Sequence, residues 1–146
     1  MPFKKILIAT DGSDLAKNAV SKGLALAKEL GASVVAVTVT VPWSSIVSGE
    51  MSIAYSHEQY LKGAKQHAEQ LLGAVAGEAE KNGLSCETIH VTEKFVSEGV
   101  LETAKQHGCD LIVMASHGRR GLSRFFLGSQ TDEVLVQTDV AVLVVR

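Results

Sequence analysis

Short, solidly apolar runs alternate along this chain with longer stretches whose apolar positions recur at helical spacing. The first run, from Phe3 to Thr10 (FKKILIAT), closes on polar residues and predicts a buried strand. Ser13 then stands as an N-cap, and Leu15, Ala16, Ala19, Val20, Gly23, Leu24, Ala27 and Leu30 follow near 3.6-residue spacing, with Gly31 where a terminating glycine belongs. Ser33 to Val41 (SVVAVTVTV) is rich in β-branched residues, as a strand covered on both faces requires. A long helical stretch runs from His57 to Lys81 and ends at Asn82-Gly83. The remaining elements are a strand over Cys86 to Val91, a helix over Ser97 to His107, a strand over Asp110 to Met114, a helix over Ser129 to Thr138 and a strand over Val140 to Val145.

Strands that alternate with helices in this way need crossovers lying on the faces of a parallel sheet. An eight-stranded barrel needs a far longer chain, which leaves a single-domain, doubly wound α/β sandwich of three layers. Pro42 to Tyr55 is Ser-rich and aperiodic and reads as a loop, of a length often used for functional lids. No internal repeat, low-complexity tract or linker interrupts the pattern.

Composition narrows the function classes. At 146 residues, 46% hydrophobic and 21% charged, the chain can bury a sizeable core. A formal net charge of -2 gives no electrostatic case for nucleic acid or an anionic membrane surface. The apolar run after Lys4-Lys5 is too brief for a signal-peptide core, and the C-terminal VAVLVV is far short of a membrane span, so a cytoplasmic location is expected. Cys86 and Cys109 are isolated and read as reduced, buried thiols. His57, His67, His90, His107 and His117 form no metal-ligand pairing, so no metal site is expected.

In open parallel sheets, ligands bind at the carboxyl ends of strands, where the winding direction reverses. Two strand ends carry unusual chemistry. Ala9-Thr10-Asp11-Gly12-Ser13 places a carboxylate beside a tight turn, suited to a sugar or base edge. Met114 to Gln130 (MASHGRRGLSRFFLGSQ) combines glycines with hydroxyls and arginines. Gly118 and Gly121 permit close approach of backbone N–H groups to an anion. Gly128-Ser129 precedes a helix whose N-terminus attracts phosphate, and Ser129 to Asp132 matches a capping box. Ser116, Ser129 and Thr131 add hydroxyls, and Arg119, Arg120 and Arg124 add charge. The stretch is neither a Walker A loop nor a GxGxxG loop. On spacing alone, a phosphate cradle and a Gly-punctuated, capped turn stand level, the arginines serve equally as solvated surface, and a structural role is the better reading of His117.

These residues resemble the universal stress protein family, in its nucleotide-binding branch, over essentially the whole chain. KKILIATDGS, the VTV end of the second strand, HGCDLIVMASHGRRGLSRFFLGS and the closing AVLVVR carry the resemblance. The family's ATP signature places a glycine, two residues, a glycine, nine residues, then glycine with serine or threonine. Here Ala115 replaces the first glycine, Gly118 follows, Arg119 to Leu127 fill the gap, and Gly128-Ser129 close it. Ala141 and Lys94-Phe95-Val96 depart from the family pattern outside that loop.

The resemblance implies one universal stress protein domain over residues 1–146, of the adenine nucleotide alpha hydrolase-like type, with strand order 3-2-1-4-5. It implies an ATP site, with magnesium. Asp11 would bind ribose or base, with Ala9 and Thr10 shaping that pocket, and Val39 would meet adenine through its backbone. Met114, Ala115, Ser116, His117, Gly118, Arg119, Arg120 and Gly121 would wrap ribose and phosphates, and Gly128, Ser129 and Gln130 would hold the outer phosphates. It also implies a homodimer through Val140 to Val145, an apolar edge suited to pairing. The expected function is an ATP-binding stress-response regulator or nucleotide-dependent switch.

The alternative is an interaction module of the same fold that binds no nucleotide, on account of Ala115. Retention of Gly118, Gly128 and Ser129 speaks against it. An adenylyl-transfer enzyme ranks last, because Thr10-Asp11-Gly12-Ser13 stands where a Ser-Gly-Gly pyrophosphate loop would be needed. No residue set resembles a committed catalytic constellation, so the chain is not read as an enzyme, although a bound triphosphate needs only a positioned water for slow hydrolysis.

Overall fold

The computed structural model describes residues 3–46, 49, 56–117 and 127–146. The elements run β1 (Lys5–Ala9), α1 (Asp14–Leu30), β2 (Ser33–Thr40), a 3-10 turn (Trp43–Ser45), α2 (His57–Lys81), β3 (Cys86–Thr92), α3 (Val96–Gln106), β4 (Leu111–Ala115), α4 (Ser129–Gln137) and β5 (Ala141–Val145). Element type and order match the periodicity, with ends displaced by a residue or so. The expected loop over 42–55 holds the 3-10 turn, and residues 47, 48 and 50–55 lie outside the described residues.

The five strands form one sheet of order β3-β2-β1-β4-β5, with every pairing parallel. β1 is central because its apolar run has no exposed face: Ile6, Leu7 and Ile8 are fully buried. Successive residues point to opposite faces. Ile6 and Ile8 therefore join the core beneath α1 and α2, with Leu24, Val34, Leu72, Val75 and Val113. Leu7 joins the core beneath α3 and α4, with Val35, Val37, Val100, Ile112 and Val134.

Local signals hold the helices in place. Ser13 accepts a hydrogen bond from the Ala16 N–H at 3.2 Å and caps α1. Gly31 ends that helix at φ 67°, a left-handed conformation in which glycine carries no Cβ penalty. A capping box forms at α2, where Ser56 and Gln59 exchange hydrogen bonds with each other's backbone N–H. The one expected over Ser129 to Asp132 does not form. α4 begins at Ser129, Gly128 takes the N-cap, and among the described residues no side chain caps the helix. A side chain inside the first turn no longer reaches the N–H groups that an N-cap side chain serves.

Candidate functional site

The winding direction reverses between β1 and β4, which are neighbours at the centre of the sheet. Ile8 stands opposite Val113 in register, so the segments leaving these strands rise side by side from one edge. On the β1 side, the buried Thr10 donates its N–H to the Val37 carbonyl at 3.0 Å. Its hydroxyl accepts the Gly12 N–H at 3.2 Å, and the Asp11 carboxylate accepts the Ser13 N–H at 2.9 Å. Gly12, at φ 80°, supplies the left-handed residue that the turn needs. The aspartate is thereby held at the strand mouth, half-buried, with its backbone fixed on either side.

On the β4 side, Met114 and Ala115 complete the strand in buried positions, and their side chains face opposite layers. Met114 lies in the α3–α4 core and the Ala115 methyl in the α1–α2 core. Ser116 donates its N–H to the Val145 carbonyl at 2.8 Å and accepts the Gly128 N–H at 2.8 Å. The Thr131 hydroxyl, itself buried, donates to the Ala115 carbonyl at 2.9 Å. These bonds bring the start of α4 back onto the end of β4, on either side of the segment 118–126. Gly118, Arg119, Arg120 and Gly121 fall in that segment, outside the described residues.

Gly128 has a steric reason that its spacing did not reveal. A Cβ at this position would lie 3.0 Å from both Cα and Cβ of His117 and 3.4 Å from the Ser116 carbonyl oxygen. A methyl here would therefore need His117 or the start of α4 to give by a few tenths of an ångström, whatever the loop holds.

The first N–H groups of any helix have no intrahelical partner, and among the described residues no side chain caps those of α4. The turn presents backbone donors and the positive end of the helix dipole beside Ser116 and His117, an arrangement suited to an anion. Ser129 is exposed there. Gln130 is oriented differently: its side-chain carbonyl accepts the Ser97 N–H of α3 at 2.8 Å. Val39 lies farther along β2, opposite Val91, and its methyls pack where a Cβ on Gly99 of α3 would come within 2.7 Å.

Ser116 Oγ and His117 Nδ1 are 3.2 Å apart. Among the described residues, no carboxylate is hydrogen-bonded to His117 as the third member that orients a catalytic base. No group of three or more His, Cys, Asp or Glu among the described residues is placed to hold a metal ion. Burial pushes the Cys109 thiol up to about 11, and burial likewise raises Cys86, so neither is a thiolate nucleophile. No helix of the described residues is long and apolar enough to cross a membrane.

Together these features define a doubly wound α/β protein with a carboxylate just past the end of β1 and the N-terminus of α4 against the end of the neighbouring β4. The chain belongs to the universal stress protein family, whose model matches residues 2–146. It is 34% identical to Universal stress protein MJ0531 of Methanocaldococcus jannaschii over 144 residues, covering 99% of this chain and 82% of the relative. It is 31% identical to Universal stress protein YxiE of Bacillus subtilis over 148 residues, covering 99% of each. The structure of protein MJ0577 superposes with TM-score 0.84 at 27% identity, covering 99% of this chain and 96% of the other. Two further structures share the fold at 20% identity. A universal stress protein in complex with cAMP superposes at TM-score 0.71, covering 100% of this chain and 99% of that one. The universal stress protein from Archaeoglobus fulgidus in complex with dAMP superposes at 0.70, covering 100% of each.

Proposed function

We propose that this protein is an ATP-binding, homodimeric stress-response regulator, a nucleotide-dependent switch rather than an enzyme. The observation that carries the reading is the first turn of α4, which no described side chain caps, held against Ser116 and His117 at the end of the strand that neighbours the one leading to Asp11. Phosphate oxygens would take the backbone N–H groups of Ser129 and Gln130, and the Asp11 carboxylate would accept from ribose hydroxyls or the base. Relatives of this fold are found with cAMP and with dAMP, which favours an adenine nucleotide as the ligand class. Gly118 to Gly121 enter the proposal through the motif spacing alone, and magnesium through the charge of a triphosphate. A cytoplasmic location is part of the same proposal.

Dimerisation is proposed through β5. It is an edge strand, so one row of its backbone N–H and C=O groups faces outward, and Leu143 on it is exposed. A second copy pairing along this edge would cover both.

The test is direct. The purified protein is denatured, any released nucleotide is identified by mass spectrometry, and the emptied protein is titrated with ATP and magnesium while its thermal midpoint is followed. An adenine nucleotide in the first assay, or a concentration-dependent rise in the second, is expected. An empty protein with no shift assigns the chain to the interaction-module reading instead.

A further inference from the structure

α3 starts without a cap of its own. Its N-cap residue is Phe95, which offers no hydrogen-bonding side chain, and the structure gives that end no cap from its own segment. The partner comes from another helix. The Ser97 N–H donates to the side-chain carbonyl of Gln130 at 2.8 Å, across 33 residues of sequence. The same two helix starts are tied again through Ser97, whose hydroxyl lies 3.4 Å from a Glu133 carboxylate oxygen that also accepts from Gln137 at 3.1 Å. Ser97 is buried, so its N–H depends on Gln130 rather than on water.

On its other flank, the first turn of α4 is fixed to the sheet by the Thr131 hydroxyl on the Ala115 carbonyl. That turn is braced between the end of β4 and the start of α3, and the N–H groups of Ser129 and Gln130 are aimed by those braces. We propose that Gln130 is a positioning residue that couples the two helix N-termini, so that a nucleotide held at α4 tightens the start of α3. The inference rests on the proposed nucleotide site. It assigns to the Gln130 side chain a task away from the ligand, while its backbone N–H keeps one toward it. Coupling of this kind is reciprocal. A brace that orients α4 for an anion is itself ordered when the anion binds, and the effect emerges at Phe95 and Glu98, on the outer surface between α3 and α4.

The experiment compares the full-length wild type with Gln130→Met, which keeps length but loses the acceptor, and with Gln130→Glu, which keeps an acceptor. ATP affinity is measured by calorimetry with magnesium present, and exchange of the Ser97 amide is followed by NMR with and without ATP. In the wild type, ATP is expected to slow Ser97 exchange. Gln130→Met should weaken ATP binding about fivefold, the size of one net hydrogen bond, and leave Ser97 exchange insensitive to ATP. Gln130→Glu should restore Ser97 protection in the nucleotide-free protein. Wild-type binding accompanied by unchanged Ser97 exchange, or a Gln130→Met protein equal to wild type in both readouts, overturns the coupling and leaves the site intact. A wild type that binds no ATP overturns the site itself and the coupling with it.

Discussion

Replacing Gly128 by alanine separates the two reasons a glycine could stand at the end of the loop. Its φ of -62° and ψ of 148° suit alanine, so the substitution introduces no backbone strain. The new methyl would nonetheless lie 3.0 Å from Cα and Cβ of His117. Relaxed carbon–carbon contacts lie at about 3.5–4.0 Å, so the start of α4 has to retreat. Overpacking of this kind costs about 1–3 kcal/mol. The retreat also stretches the 2.8 Å bond from the Gly128 N–H to the Ser116 carbonyl, and such a bond contributes about 1 kcal/mol net. Alanine offsets part of this by restricting the unfolded chain, by about 0.4–1 kcal/mol. The balance is a loss of about 2 kcal/mol, which for a chain of this size lowers Tm by roughly 4–8 °C.

The assay is thermal and urea unfolding of nucleotide-free protein, followed by circular dichroism. Gly73→Ala is the control. That glycine is exposed within α2, and a Cβ there meets nothing within 4 Å. Its substitution should stabilise by about 0.5–1 kcal/mol through helix propensity. Gly→Ala is thus expected to change sign between the two positions. If nucleotide-free Gly128→Ala is as stable as wild type, the steric argument fails, and the glycine stands there for a ligand alone.

Three further outcomes are expected. Ala115→Gly should lose about 1–2 kcal/mol by urea unfolding, from one buried methyl and a freer strand end; because the methyl lies in the α1–α2 core, ATP binding should not tighten, and a gain in affinity would refute that placement. Thr131→Val should cost about 1–2 kcal/mol, because the buried Ala115 carbonyl loses the hydroxyl that donates to it; an unchanged urea midpoint would show the bond to be dispensable. Burial pushes the Asp110 carboxyl up, but backbone N–H groups of Lys4, Lys5 and Asp110 itself, with the Lys4 charge, outweigh this and hold it below the ordinary aspartate value. Its contribution is therefore complete above the unfolded-state value and lost as pH falls through the lower folded-state value. The stability gap between wild type and Asp110→Asn should close in acid, and a gap constant down to about pH 2 would contradict the assignment.

The fold was legible in this sequence because its signals are local or periodic. Solid β-branched runs mark strands buried on both faces, Ser13 and Gly31 bracket α1, and strict alternation leaves a parallel, doubly wound sheet as the solution that fits the chain length. The site was legible only as far as such signals reach. Asp11 and the start of α4 were placed at one strand mouth by topology, and the structure brings them to neighbouring strands. What pattern could not supply is which atom lies opposite which across a helix face. The resemblance assigns Gln130 to the outer phosphates, and it carries no sign that the Gln130 side chain also serves Ser97 of another helix. Ser129 to Asp132 reads as a capping box because the spacing is right, yet the helix takes its N-cap at Gly128, one residue earlier. Both observations have one physical origin. The side chains of the first turn of α4 reach outward, Thr131 to β4 and Gln130 to α3, and among the described residues none caps the turn's own backbone N–H groups. A self-capped helix would have satisfied them within the chain. The absence of a local cap, which defeats the sequence pattern, is also the feature on which the proposed anion site rests.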